Sequence, residues 1–217
     1  MHPLKHFVTI TRHRHEVIKN CFKAGIPFQG LKHDLSKYSF CEFSKGAKYF
    51  QGTRSPNEAE REEYGYSLTW MHHKGRNRHH FEYWTDYDPV TKKISPVKMP
   101  RKYVVEMFCD RVAASKIYMK DKYTGDAPLA YFLKAKKRRF IHKETSDELE
   151  YLLVTLSEKG EKAAFAAAKA YRKGDISLSA PKDEASEASI EDQASCPCDS
   201  QKKCECGQTE NKNSPAE

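Results

Sequence analysis

One segment constrains the fold more than any other. Val104-Val105-Glu106-Met107-Phe108-Cys109-Asp110-Arg111-Val112-Ala113-Ala114 reads as helix, with apolar residues around most of its circumference rather than along one stripe. A helix of that kind belongs at the centre of a packed molecule. This one also carries Asp110, and burying a carboxylate there is costly unless a cation lies beside it. Arg111 projects about 100° away around the helix axis and is not an evident partner. A metal ion accounts for Asp110 better.

The rest of the chain also reads as helices, with few alternating β-branched runs. A first helix covers Phe7 to Ala24 and stops at Gly25 and Pro27. A second helical region begins near Leu31, and Ser39 with Glu42 makes a capping-box pattern ahead of Phe43. Ser55, Pro56 and Glu58 repeat the start signal for a helix running to about Lys74. Residues 85–99 hold Asp86, Asp88, Pro89 and Pro96 and read as a loop. Pro100 opens the central helix, which continues to about Lys120. Asp126 caps the next, Ser146 with Glu148 starts another, and Glu161 to Arg172 forms the last. The expected fold is all-α, a helical bundle over residues 1–174.

After Gly174 the composition turns to Ser, Ala, Glu, Asp and Lys, which cannot bury enough apolar surface to offset ordering entropy. Residues 175–217 are therefore expected to be a disordered acidic tail. They hold ten acidic and four basic residues, so with +8 overall the body carries +14. Such a body suits an anionic small molecule or nucleic acid, or is simply a solvated basic surface. Much of the charge sits in Lys134, Lys136, Lys137, Arg138 and Arg139, a run that reads as an exposed helix face. The tail also contains Cys196-Pro197-Cys198 and Cys204-Glu205-Cys206, a set that could hold a small zinc knuckle or remain free thiols. Seven cysteines, no apolar leader and no run near eighteen apolar residues give the expectation of a cytoplasmic chain with reduced thiols and no membrane span.

Nine of the ten histidines fall within the first eighty residues. Five places stand out: His13 with His15, His33-Asp34, His72-His73, His79-His80, and Asp110. Imidazole and carboxylate are the usual ligands of zinc, iron and manganese. In the first helix Ile10, Val17 and Cys21 share one stripe; His13 lies about 40° from Val17, whereas His15 points roughly 160° away. His13 is thus the candidate that faces inward, with His6 on the same face two turns earlier. A buried histidine bonded to a backbone carbonyl is the structural alternative. Lys37 follows Asp34 by three residues, so it can reach the same site and pair with a substrate phosphate or with the carboxylate itself. The segment His72-His73-Lys74-Gly75-Arg76-Asn77-Arg78-His79-His80 is the most loaded. A metal would keep its imidazoles neutral while the arginines meet an anion. The alternative is a nucleic-acid contact loop with aromatic neighbours.

The spaced order of His, His-Asp, paired histidines and Asp resembles the HD superfamily, whose helical core binds one or two metals. The stretches GLKHDLSKYSFCEF, HHKGRNRHHFEYW and MPRKYVVEMFCDRVAASKIY are similar to a bacterial and phage family known only as a domain of unknown function, over about residues 4–170. By position, this resemblance implies an HD-domain-like bundle with metal ligands at His13, His33, Asp34 and Asp110. A second ion would be held by His73 with one or both of His79 and His80. The doublets leave His72 versus His73, and His79 versus His80, open.

HD relatives are mostly phosphohydrolases, and a smaller branch uses two irons to oxidise a substrate with dioxygen. The expected function is hydrolysis of a nucleotide or other phosphate ester with one or two divalent ions, drawn from manganese, iron, zinc or magnesium. Asp34 and Lys37 are the expected catalytic groups, and Lys37, Arg76 and Arg78 the expected anion contacts. The alternatives are a di-iron oxygenase on the same scaffold and a basic nucleic-acid-binding module whose histidines are structural.

Overall fold

The computed structural model describes residues 2–178, and eight α-helices carry most of them. Helix α1 (Pro3–Lys23) starts on a proline, whose missing N–H costs nothing in a first turn. The short α2 (Pro27–Lys32) follows, so Leu31 lies in the last turn of a helix that Pro27 begins rather than near a start. The chain then breaks at His33 and Asp34, the latter left-handed at φ +53°, before a 3-10 turn over Leu35–Tyr38. Helix α3 (Phe40–Lys48) is capped by Ser39, whose hydroxyl accepts from the Glu42 N–H.

The single helix expected from Pro56 to Lys74 is two helices, α4 (Pro56–Tyr64) and α5 (Leu68–Arg76). Gly65 at φ +78° ends the first, and the Ser67 hydroxyl, accepting from Trp70 N–H, caps the second. The expected loop at 85–99 contains a hairpin, β1 (Thr85–Asp88) paired antiparallel with β2 (Lys93–Pro96), Thr85 opposite Pro96 and Asp88 opposite Lys93. Asp88 organises its turn by accepting from Val90 N–H and the Thr91 hydroxyl. Helix α6 (Arg101–Met119) is followed by α7 (Ala127–Ala135) and α8 (Lys143–Lys173). The start expected at Ser146 lies at Lys143, and Gly160, at φ +77°, interrupts α8 one residue before the expected last helix. Residues 179–217, including the four paired thiols and most of the expected tail, lie outside the described residues. Cys21, Cys41 and Cys109 are free thiols.

The fold is all-α apart from this hairpin. Helix α6 is its axis, as its all-round apolarity requires, packed against α1, α7 and α8. Val17 and Cys21 of α1, Val105, Phe108 and Val112 of α6, Phe132 of α7 and Leu149, Leu152 and Leu153 of α8 are fully buried. Each large aliphatic or aromatic side chain there contributes about 1.5–3 kcal/mol. The buried Asn20 amide ties α1 to α6 by donating to Cys109 O at 3.1 Å. Along α1 the buried stripe passes from Cys21 and Val17 to His13. Glu106 and Asp110, one turn apart, share another face of α6. One end of the core is therefore ionisable. None of the described helices is long and apolar enough to cross a membrane.

Candidate metal centre

Four parts of the chain converge at that end: α1, the turn after α2, α5 with the segment following it, and α6. His13 comes from α1, His33 and Asp34 from the turn, His73 from α5, His79 and His80 from beyond it, and Asp110 from α6. The left-handed backbone at Asp34, tolerated by aspartate better than by most residues, turns its carboxylate inward. Arg14 clamps this turn from α1, its guanidinium donating to the carbonyls of His33, at 3.3 Å, and Leu31.

Asp34 stands between two groups of donors. Its Oδ1 lies 3.3 Å from His73 Nε2 and 3.5 Å from His79 Nε2. Its Oδ2 lies 3.3 Å from His33 Nε2 and 4.0 Å from His13 Nε2. Asp110 Oδ1 completes the second group, 3.0 Å from His13 Nε2 and 3.5 Å from His33 Nε2. Donor atoms of Asp34, His73, His79 and His80, and separately of His13, His33, Asp34 and Asp110, lie within 4.8 Å of one another, which is metal-ligand spacing.

Most of these atoms lack a hydrogen-bond partner. Asp34 Oδ1 and the Nε2 atoms of His33, His79 and His80 are buried with no hydrogen-bond partner, while Asp34 Oδ2 meets the Lys37 ammonium. A buried polar atom left so costs about 1–3 kcal/mol, and several converging on one place fit a cation held among them. The residues present therefore fit one or two metal ions.

The family model for DUF5662, a family of unknown function, matches residues 2–155. The chain belongs to this family. No curated protein and no solved structure matches it. The DUF5662 match contains every residue of both donor groups.

Around the donors, the DUF5662 chain supplies a layer of carboxylates that the sequence reading missed. Glu106 Oε1 lies 3.1 Å from His33 Nδ1 and 3.3 Å from His79 Nδ1, while its Oε2 accepts from the Gln29 amide at 2.8 Å. Glu42 forks between His72 Nδ1 at 2.6 Å and His73 Nδ1 at 2.8 Å. Holding Nδ1 aims Nε2 at the centre, the usual arrangement around a metal. The fork also separates the first doublet, since the His73 ring reaches Asp34 while His72 is among neither donor group. In the second doublet both His79 and His80 join the group. Glu106 had a signal in the sequence, standing four residues before Asp110 in the apolar helix. Glu42 was read only as part of a cap.

Electrostatics follow the geometry. Burial opposes charge on Asp34 and Asp110, yet the surrounding histidines, with Lys37 beside Asp34, hold both carboxyls well below their usual range. Glu106 is likewise resisted by burial but pulled down to about 2 by His33 and His79. Burial lowers the pKa of His13 and, aided by His79 and His73, that of His80, so both stay neutral and able to donate a lone pair. Burial also opposes the charge on His33 and His73, but the neighbouring carboxylates raise both. Lys37 Nζ sits 2.6 Å from Asp34 Oδ2, and against its burial Asp34 and Asp110 keep it protonated.

The remaining candidates stand apart. Arg76 is exposed and donates to the His72 carbonyl at 3.3 Å. The Arg78 guanidinium lies over the Tyr83 ring, 5.5 Å from its centroid. His15 is exposed, and His6 is buried against Phe43 and Phe50, away from both donor groups.

Proposed function

We propose that this protein is a metal-dependent phosphohydrolase of HD type, in which His13, His33, Asp34 and Asp110 would hold one divalent ion and Asp34, His73, His79 and His80 a second. The observation that carries the reading is the position of Asp34, buried, with each oxygen turned to a different set of imidazoles. The order of the ligands along the chain, His, His-Asp, histidines, Asp, is that of the HD superfamily. Five imidazoles and two carboxylates suit manganese, iron or zinc, whereas magnesium prefers oxygen.

Bound divalent ions supply Lewis acidity toward a phosphoryl oxygen and generate a nucleophile from water at neutral pH. The chain's own groups do the rest. Asp34 and Asp110 offset the positive charge of the ions, and Glu42 and Glu106 fix the imidazole rings. Lys37, protonated, partly exposed and 2.6 Å from Asp34, would bind the phosphoryl oxygens as a point charge. Of the three cations expected to meet the anion, it is the one in contact with a donor-group residue. The burial of His73 and His79 speaks against a nucleic-acid contact loop built on those histidines.

The test is a screen of nucleotides and generic phosphate esters with manganese, iron, zinc and magnesium supplied separately. Turnover is expected, and Lys37→Met should lower kcat/KM by about 10–100-fold, equivalent to about 1.4–2.8 kcal/mol, without lowering metal content. Metal-loaded protein that turns over no ester would overturn the reading. Oxygen uptake by an iron-loaded form would direct the same centre to oxygenase chemistry.

A further inference from the structure

The start of α1 and the end of α6 enclose a groove of about 500 Å³, within the range of small-molecule sites. Its lining joins two kinds of surface. Leu4, Val8 and the Phe50 ring provide an apolar wall, and Leu4 is 81% exposed. Lys5, Arg12 and Lys120 provide positive charge. Among the described residues no carboxylate lies within ion-pair distance of these three, whereas Lys116 at the same groove is engaged by Glu16 at 3.2 Å and Glu161 at 2.5 Å.

Two features connect the groove to the metal centre. Arg12 and His13 are consecutive residues of α1, so groove and centre occupy neighbouring faces of one helix, on the order of 10 Å apart. Tyr118 lines the groove about two turns of α6 beyond Asp110. At the far end Lys120 has φ +51°, a conformation that favours glycine, so the backbone is strained where the chain leaves α6 for the groove.

We infer that this groove is a second anion subsite, which takes a negatively charged group of a ligand whose reacting phosphate ester lies at the metal centre. The inference rests on the phosphohydrolase reading and narrows its substrate class to molecules with two separated anionic groups joined by a flat or apolar body. Charge complementarity selects this occupant. Three unpaired cations beside an apolar wall match a second anionic group better than a neutral extension.

The experiment compares adenosine 3′,5′-bisphosphate, adenosine 5′-monophosphate and adenosine as calorimetric probes of the full chain. The bisphosphate is expected to bind about 10-fold more tightly than the monophosphate, and adenosine more weakly than either. Arg12→Glu and Lys5→Glu change exposed residues, so folding and metal content should persist while the bisphosphate advantage disappears. Equal affinity for the two phosphates in the wild type, an advantage that survives both substitutions, or no binding of the bisphosphate would overturn the subsite. Asp34→Ala separates the two readings. Undiminished metal in that variant would sink the metal centre and leave the subsite to stand on its own test, whereas loss of metal, beside a bisphosphate advantage in the wild type, supports both.

Discussion

Glu42 and Glu106 stand behind the imidazoles of the two donor groups, and Glu106 with His33 and His79 forms a further set at metal-ligand spacing. Each carboxylate holds two imidazoles by Nδ1, so replacing it frees two rings at once. Glu106→Gln and Glu42→Gln should weaken metal binding by about 10–100-fold, measured by competition with a chelator, and leave the helical spectrum unchanged. Unaltered affinity in both would remove them from the account. His6 gives a prediction away from the metal. Burial, with a smaller contribution from Lys37, lowers its pKa from 6.5 to about 4. The unfolded chain therefore binds the extra proton first, and this contribution destabilises the fold as pH falls from about 6.5 toward 4. Urea titrations at pH 7 and pH 4.5 should show a smaller loss for His6→Gln than for the wild type. Helical phase alone places His13, not His15, on the buried face, where the structure has it. Phase could not choose between His72 and His73, because the choice depends on Glu42, thirty residues away in sequence.

Two glycines make different demands on their elements. Gly46 in α3 has ordinary helical backbone, but an added Cβ would run into the ring of His6 on α1. Gly65 has open space around it and a left-handed backbone that ends α4. Gly46→Ala should cost about 1–3 kcal/mol through overpacking, beyond what helix propensity returns. Gly65→Ala should cost about 1 kcal/mol through backbone strain alone. Denaturant melts of the two variants check the order. The same distinction explains which elements were legible. Pro56 and Pro100 announce helix starts through local chemistry, and Ser39 does so with Glu42. The hairpin at Thr85–Pro96 was hidden because Asp86, Asp88, Pro89 and Pro96 carry turn chemistry, while Tyr87 and Ile94, paired across the two strands, give too short an alternation. The break between α4 and α5 needed Gly65 to be read as a cap rather than as an interior residue.

The two donor groups draw on residues from 13 to 110 in a single bundle, so the centre exists only when the whole fold does. Ions that bind the folded chain and not the unfolded one stabilise it by mass action. A chelator should therefore lower the thermal midpoint of the wild type and leave that of Asp34→Ala almost unmoved. The all-α architecture was legible because the apolar circumference of α6 requires helices on several sides of it. How α1, the Asp34 turn, α5 and α6 meet was not, since no spacing within a sequence fixes distances between elements. The central claim, a two-ion centre whose donor groups share Asp34, is tested most directly by elemental analysis of purified wild type beside Asp34→Ala, with circular dichroism on both. The account predicts close to two transition-metal ions per wild-type chain and almost none in the variant, with helicity retained. Wild type without metal, or a variant that keeps its full complement, would contradict it.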